Sequence, residues 1–98
     1  MLSSKQRAYL KGLANNLKPI TQVGKDGINE RFISQLKDIL EKHELVKVTI
    51  LNNSLIDSRN AALDICKATK SEFVQSIGGK AVIYKKSKEE PKIELPKR

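Results

Sequence analysis

The residues of this sequence best suited to chemistry are cations and a closely spaced pair of glycines. Gly24-Lys25-Asp26-Gly27 sets two glycines around a lysine and an aspartate. The four follow a short, partly β-branched segment and lead straight into a helical pattern, so they join a strand to a helix N-terminus. There the first backbone N–H groups lack intrahelical partners and the helix dipole favours an anion. Glycines let a phosphate backbone come close, and Lys25 adds a charge that can reach it. Asp26 works against phosphate and better suits holding the loop or the helix start. Taken alone, the four-residue pattern is more simply a tight turn that needs positive φ.

The charge balance gives the loop its context. Nineteen Lys/Arg stand against eleven Asp/Glu, a formal net charge of +8 with a pI near 9.8. That surplus favours a polyanionic partner. It is unevenly spread. Residues 1–27 carry five basic and one acidic side chain, residues 28–70 seven and six, and residues 71–98 seven and four. The excess therefore lies in the first helix, the glycine loop and the last hairpin with its tail. Arg7 and Lys11 stand four apart in a helical pattern, and Lys18 follows seven later, so they share one flank if the helix reaches that far. Clamping of a nucleic-acid backbone by a GXXG loop is a known device in KH domains. A basic protein without a nucleic-acid role and a basic helix on an anionic membrane are the competing readings. The second needs an apolar helix face that so small a core has to use for itself.

Other reactive residue types point away from catalysis. Gly78-Gly79-Lys80 has neither the length of a P-loop nor its following Ser/Thr, and reads as a hairpin turn. His43 falls near a helix end, where a cation is favoured. Cys66 falls on an apolar helix face and reads as a small buried hydrophobe. One His and one Cys do not make a usual zinc site. Glu41, Glu44, Asp57 and Asp64 are scattered among bases without an acid/base pair. The expectation is no enzyme, no catalytic residue, no metal, no cofactor and no small-molecule substrate. Tyr9 and Tyr84 are of a type that stacks on bases in single-strand binders, with core packing the default for each.

The elements that must position these residues follow from periodicity. Leu10, Leu13, Ala14 and Leu17 repeat at helical spacing over about 4–16, with Ser3 or Ser4 as N-cap; Pro19 ends that pattern. Residues 20–23 read as a strand. Asn29 caps a second helix that runs to about Lys42, with Ile28 and Ile33 as a hydrophobic staple. Residues 45–51 (LVKVTIL) carry apolar residues on both faces, which suits an interior strand. A third helix spans about 54–69. Residues 72–77 and 80–84 form a hairpin about Gly78-Gly79. The order α-β-α-β-α-β-β predicts an α/β two-layer sandwich, a small mixed four-stranded sheet with helices packed on it. Residues 88–98 read as a charged tail after a single domain of residues 1–87, with Ile93 and Leu95 able to pin back. A single cysteine allows no internal disulfide. The chain shows neither a membrane-length apolar run nor the apolar stretch of a signal peptide, so the expected compartment is the cytoplasm.

Three blocks together resemble a known family. The run KQRAYLKGLANNLKPITQVGKDGINERFISQL, then HELVKVTI, then FVQSIGGKAVIYKKS, is similar to the CRM domain (chloroplast RNA splicing and ribosome maturation), above all its bacterial stand-alone, YhbY-like members. The likeness covers about residues 4–87, and the ordered set of blocks is far more specific than any one. It implies a fold similar to the C-terminal domain of translation initiation factor three. It also implies RNA binding, with ribosomal RNA in a precursor of the large subunit as partner. The family's exposed GxxG loop matches Gly24 to Gly27, and a basic surface beside it implies contact by Arg7, Lys11, Lys18 and Lys25, then by Arg31, Lys80, Lys85 and Lys86. Many members carry a single glycine before a basic residue in the last turn, where this chain has Gly78-Gly79-Lys80. The expected state is a monomer. The alternative is a protein–protein adaptor in ribosome assembly without RNA specificity of its own.

Overall fold

A computed structural model describes residues 2–23, 27–50 and 58–97. Three helices and four strands follow in the expected order: α1 (Ser4–Ala14), β1 (Thr21–Val23), α2 (Glu30–His43), β2 (Leu45–Ile50), α3 (Ser58–Thr69), β3 (Glu72–Ile77) and β4 (Lys80–Tyr84). The expected start of the third helix at 54 and the last strand residue, Leu51, lie outside the described residues.

Local sequence sets most of the boundaries. The Ser3 hydroxyl accepts from the Gln6 N–H, and the Gln6 side chain accepts in turn from the Ser3 N–H, a reciprocal capping box on α1. Asn29 caps α2 by accepting from the Phe32 N–H at 2.8 Å. Helix α1 stops at Ala14, two residues short of the expected end. Gly78 and Gly79 both take positive φ, +57° and +76°. A two-residue hairpin with the right twist demands that backbone, and glycine adopts it with least strain.

The sheet order is β1-β2-β4-β3, with β1 parallel to β2 and the other pairs antiparallel. Strand β2 is thus interior, as its two apolar faces require. A register shift between Phe73 and Gln75 marks a bulge in β3, which lies at the sheet edge. The ends of β1, β2 and β3 lie at one end of the sheet with the β3–β4 turn, where the Ile50 N–H donates to the Gly79 carbonyl at 2.7 Å.

Two apolar clusters lie on opposite faces of this sheet. On the first, Val46, Val48, Ile50, Ala81 and Ile83 meet Leu36 and Leu40 of α2 and Ala61, Ala62 and Ile65 of α3. That is the expected two-layer arrangement. On the second, Leu45, Val74, Val82 and Tyr84 meet Leu10 and Ala14 of α1, with Ile93 and Leu95 of the C-terminal segment packed against them. Helix α1 and the tail therefore add a partial third layer. Two residues expected in the core on α1 are half exposed: Tyr9 at 43 % and Leu13 at 38 %. The stripe that α1 buries is centred on Leu10 and Ala14, both fully buried, and neighbours a residue away face solvent.

The tail is held by two carboxylates near the end of α2. Glu44 is buried and takes φ +64°, a left-handed backbone that is strained for a side chain. Its carboxylate accepts from the N–H groups of Ser87, Lys92 and Ile93 at 2.6–2.9 Å. Burial pushes the Glu44 carboxyl up, but these N–H bonds outweigh it and hold the group below the usual carboxylate value. Glu41 accepts from the Lys88 N–H, the Ser87 hydroxyl and the Glu89 N–H, and these bonds hold it low as well. Further on, the Gln6 side-chain amide donates to the Pro96 carbonyl at 3.1 Å.

Candidate nucleic-acid interface

The second face of the sheet is only half covered. Alternation along the strands turns Lys47 and Thr49 of β2 to the same side as Leu45, beneath α1. The register then sets two rungs across the sheet. Thr49 pairs with Lys80 and Lys80 with Ile77; Lys47 pairs with Val82 and Val82 with Gln75. Leu10 and Ala14 of α1 and the tail close the rest and Val82 is buried with them, so these rungs stay open only in part, fully at Lys80 and Ile77 and partly at Lys47, Thr49 and Gln75.

Helix α1 forms the wall of this opening. Arg7, Lys11 and Asn15 are spaced four apart, and Asn15 keeps helical φ/ψ as the C-cap, so the three share one flank. Arg7 and Lys11 line a depression of about 380 Å³ along β3, which reaches Gln75 and Ile77. Asn15, Lys47 and Lys80 line an adjoining depression of about 330 Å³ that again includes Gln75 and Ile77. The two make one groove. Among the described residues no carboxylate lines either stretch. The Nε of Arg7 is shielded from solvent and has no acceptor among the described residues. At the outer rim the Arg59 guanidinium lies 5.4 Å from the centre of the Phe73 ring, in reach of a cation–π contact.

The expected contact residues divide accordingly. Arg7 and Lys11 line one stretch of the groove and Lys80 the adjoining one. Lys18 is exposed but lies beyond the end of α1, so helical spacing no longer puts it on the Arg7 flank. Arg31 is exposed in the first turn of α2, on the layer that covers the other face. Lys85 has a structural engagement: its ammonium donates to the Thr69 carbonyl at the end of α3, at 3.0 Å. Lys86 lines a separate depression with Tyr84, Ile93 and Leu95. Gly24, Lys25 and Asp26 lie outside the described residues. Gly27 is described, with φ +71° and open space where a Cβ would stand; it needs glycine for its backbone rather than for room.

Sequence reasoning missed Lys47, Asn15, Gln75 and Ile77. The signal for Lys47 was present, since it and Thr49 are the polar residues in an otherwise apolar strand. The signal for Asn15 was present too, four residues after Lys11 on the same helix flank; for Gln75 and Ile77 there was none, because only the strand order brings them there.

The remaining reactive types stay quiet. Cys66 is buried, and burial pushes its thiol up, which disfavours the thiolate. His43 is exposed as the last residue of α2. Among the described residues no group of His, Cys, Asp and Glu is placed to hold a metal ion, and no helix is long and apolar enough to cross a membrane.

A small mixed sheet with a cationic groove that no carboxylate lines among the described residues defines a domain suited to a polyanion. The chain belongs to the CRS1 / YhbY (CRM) domain family, whose model matches residues 2–85. It is 45 % identical to the "Probable RNA-binding protein YqeI" of Bacillus subtilis, over 98 % of this chain and all of that one. It is 37 % identical to the "RNA-binding protein" of Haemophilus influenzae, over 99 % of this chain and 97 % of that one. Among solved structures, the solution structure of Staphylococcus aureus SAV1595 superposes with a TM-score of 0.83 at 51 % identity, covering 98 % of this chain and all of that one.

Proposed function

We propose that this chain is a ribosome assembly factor that binds ribosomal RNA of a large-subunit precursor, chiefly through phosphate and shape. The observation that carries the reading is that Arg7, Lys11, Lys47 and Lys80 line the two adjoining stretches of one groove, with no carboxylate beside them among the described residues. The names of its relatives support RNA as the polyanion. The family resemblance supports ribosomal RNA and the Gly24–Gly27 loop as a second contact. The chain acts in the cytoplasm as a monomer, without cofactor or small-molecule substrate, and holds its RNA rather than transforming it. Residues 1–87 make up the binding domain and residues 88–98 a charged tail, whose Ile93 and Leu95 pack against it.

Neutralising several phosphates makes affinity fall steeply with salt, by a log–log slope of about 0.7–0.9 per contact. Titration of structured ribosomal RNA over a range of salt concentrations tests this, and an affinity indifferent to salt would falsify it. Crosslinking in cells, with sequencing of the bound RNA, tests the ribosomal target; recovery of unrelated RNAs alone removes it. Replacing Gly24 and Gly27 together by bulkier residues weakens binding in a folded protein if the loop contacts RNA.

A further inference from the structure

We propose that the groove between α1 and the hairpin seats one unpaired nucleotide of the bound RNA. The base lies over Ile77, between the amides of Asn15 and Gln75, and the flanking phosphates lie on Lys47 and Lys80. The inference rests on the RNA-binding reading and deepens it, since it makes the protein discriminate between paired and unpaired RNA.

Four observations converge here. Ile77 is 68 % exposed, the most open of the large exposed apolar side chains in the described residues. Its position is central, because it is common to both stretches of the groove. An apolar side chain that faces water beside cations is a platform for the flat, weakly hydrated face of a base, and extruded bases are held in this way between apolar or aromatic side chains. Second, Asn15 at the end of α1 and Gln75 on β3 line the same stretch of the groove as Ile77. A carboxamide offers two donors and an acceptor, so a pair of them can satisfy the edge of a base that has lost its partner. Third, cations stand in both stretches. Lys47 and Lys80, on the sheet, line the stretch that holds the amides, while Arg7 and Lys11 line the next one along β3, where the shielded Arg7 Nε lacks an acceptor among the described residues. A phosphate on either side of one seated base would meet a charge. Fourth, the stretch is small. A depression of about 330 Å³ bounded by Asn15 at the end of α1 matches the bulk of one splayed nucleotide rather than that of a duplex. Recognition of RNA sequence falls mainly on such unstacked bases.

The test uses the whole chain and a set of hairpin RNAs. One is fully paired; four others carry a single bulged A, C, G or U at the same place. Affinities are measured by fluorescence anisotropy at one salt concentration. The wild-type chain is expected to bind at least one bulged hairpin more tightly than the paired one, on the order of tenfold for one seated base. The double variant Gln75→Ala, Ile77→Ala, shown to be folded by its thermal transition, is expected to bind the bulged and the paired hairpins alike. Lys80→Ala is expected to weaken both. In parallel, the side-chain amide resonances of Asn15 and Gln75 shift on adding bulged RNA and not on adding paired RNA. Equal wild-type affinity for all five hairpins overturns the proposal and leaves the RNA-binding reading standing. A bulge preference that survives the double variant overturns the assignment to this groove. If the wild-type chain binds none of the RNAs, both readings fall together.

Discussion

The two faces of the sheet draw on the same strands and end in opposite conditions. On the face beneath α2 and α3 every strand position of β2 and β4 that points inward is apolar and buried: Val46, Val48, Ile50, Ala81 and Ile83. On the face beneath α1 the apolar positions Leu45, Val82 and Tyr84 give way along the same strands to Lys47, Thr49 and Lys80. One helix and a tail cover what two helices cover on the other side. The difference teaches that the closed face can carry stability while the half-open one is free to carry cations. Charges stay solvated there and avoid the cost of burial.

The comparison can be broken first at its strongest point. Leu36→Ala removes a fully buried side chain from the closed face and should cost about 3–4 kcal/mol in denaturant unfolding, within the range of large-to-small core changes. Leu10→Ala on the other face, where α1 can shift to fill the space, should cost about 1 kcal/mol less. Equal losses would mean that the two faces share the load.

Next in size is the tail clamp. Glu44→Gln replaces a carboxylate acceptor for three N–H groups and should cost about 2–3 kcal/mol, with the loss confined to the α1 face. Acid should do the same without mutation. The folded-state values of Glu44 and Glu41 are lowered. Their contribution is therefore complete above the ordinary carboxylate value of 4.5 and is lost as the pH falls through the lowered folded-state values. The Lys92 and Ile93 amide resonances should move in acid before those of α2 and α3. In Glu44→Gln that early step should be reduced, and an unchanged acid profile would assign the titration elsewhere. A smaller effect is expected from Ser3→Ala, about 1 kcal/mol, since it removes the cap of α1 alone. The smallest concerns the open rungs. Lys47→Ala and Lys80→Ala should each change stability by less than about 0.5 kcal/mol. Each should nonetheless lower the salt slope of RNA binding by about 1. A stability loss as large as that of Ser3→Ala would place these lysines in the fold rather than the interface.

Much of this architecture was legible in the sequence because its signals are local. The capping residues Ser3 and Asn29, the helical stripe of α2 and the Gly78-Gly79 turn each act within a few neighbours, and each element appears where its signal lies. The interface was legible only in part. Arg7 and Lys11 share a flank by helical spacing alone, but their nearness to Lys80 depends on β4 lying between β2 and β3, a matter of long-range pairing. Lys85 illustrates the opposite failure. Its charge marked it as a contact, whereas the fold turns its ammonium onto the last carbonyl of α3. Glu44 carried no sequence signal at all, because its worth lies in N–H groups more than forty residues further on.

The partial third layer has a consequence for how the chain reaches this state during synthesis. Leu10 and Ala14 emerge well before most of their partners, since apart from Leu2 and Leu17 their cluster is made of residues 45 and beyond, up to Leu95. The α2–β2 segment can begin to collapse early, while α1 keeps an unsatisfied apolar stripe until the hairpin and tail follow it out. The helix that bears Arg7 and Lys11 is then the last to be fixed, and its greasy side is the one a nascent-chain chaperone would find.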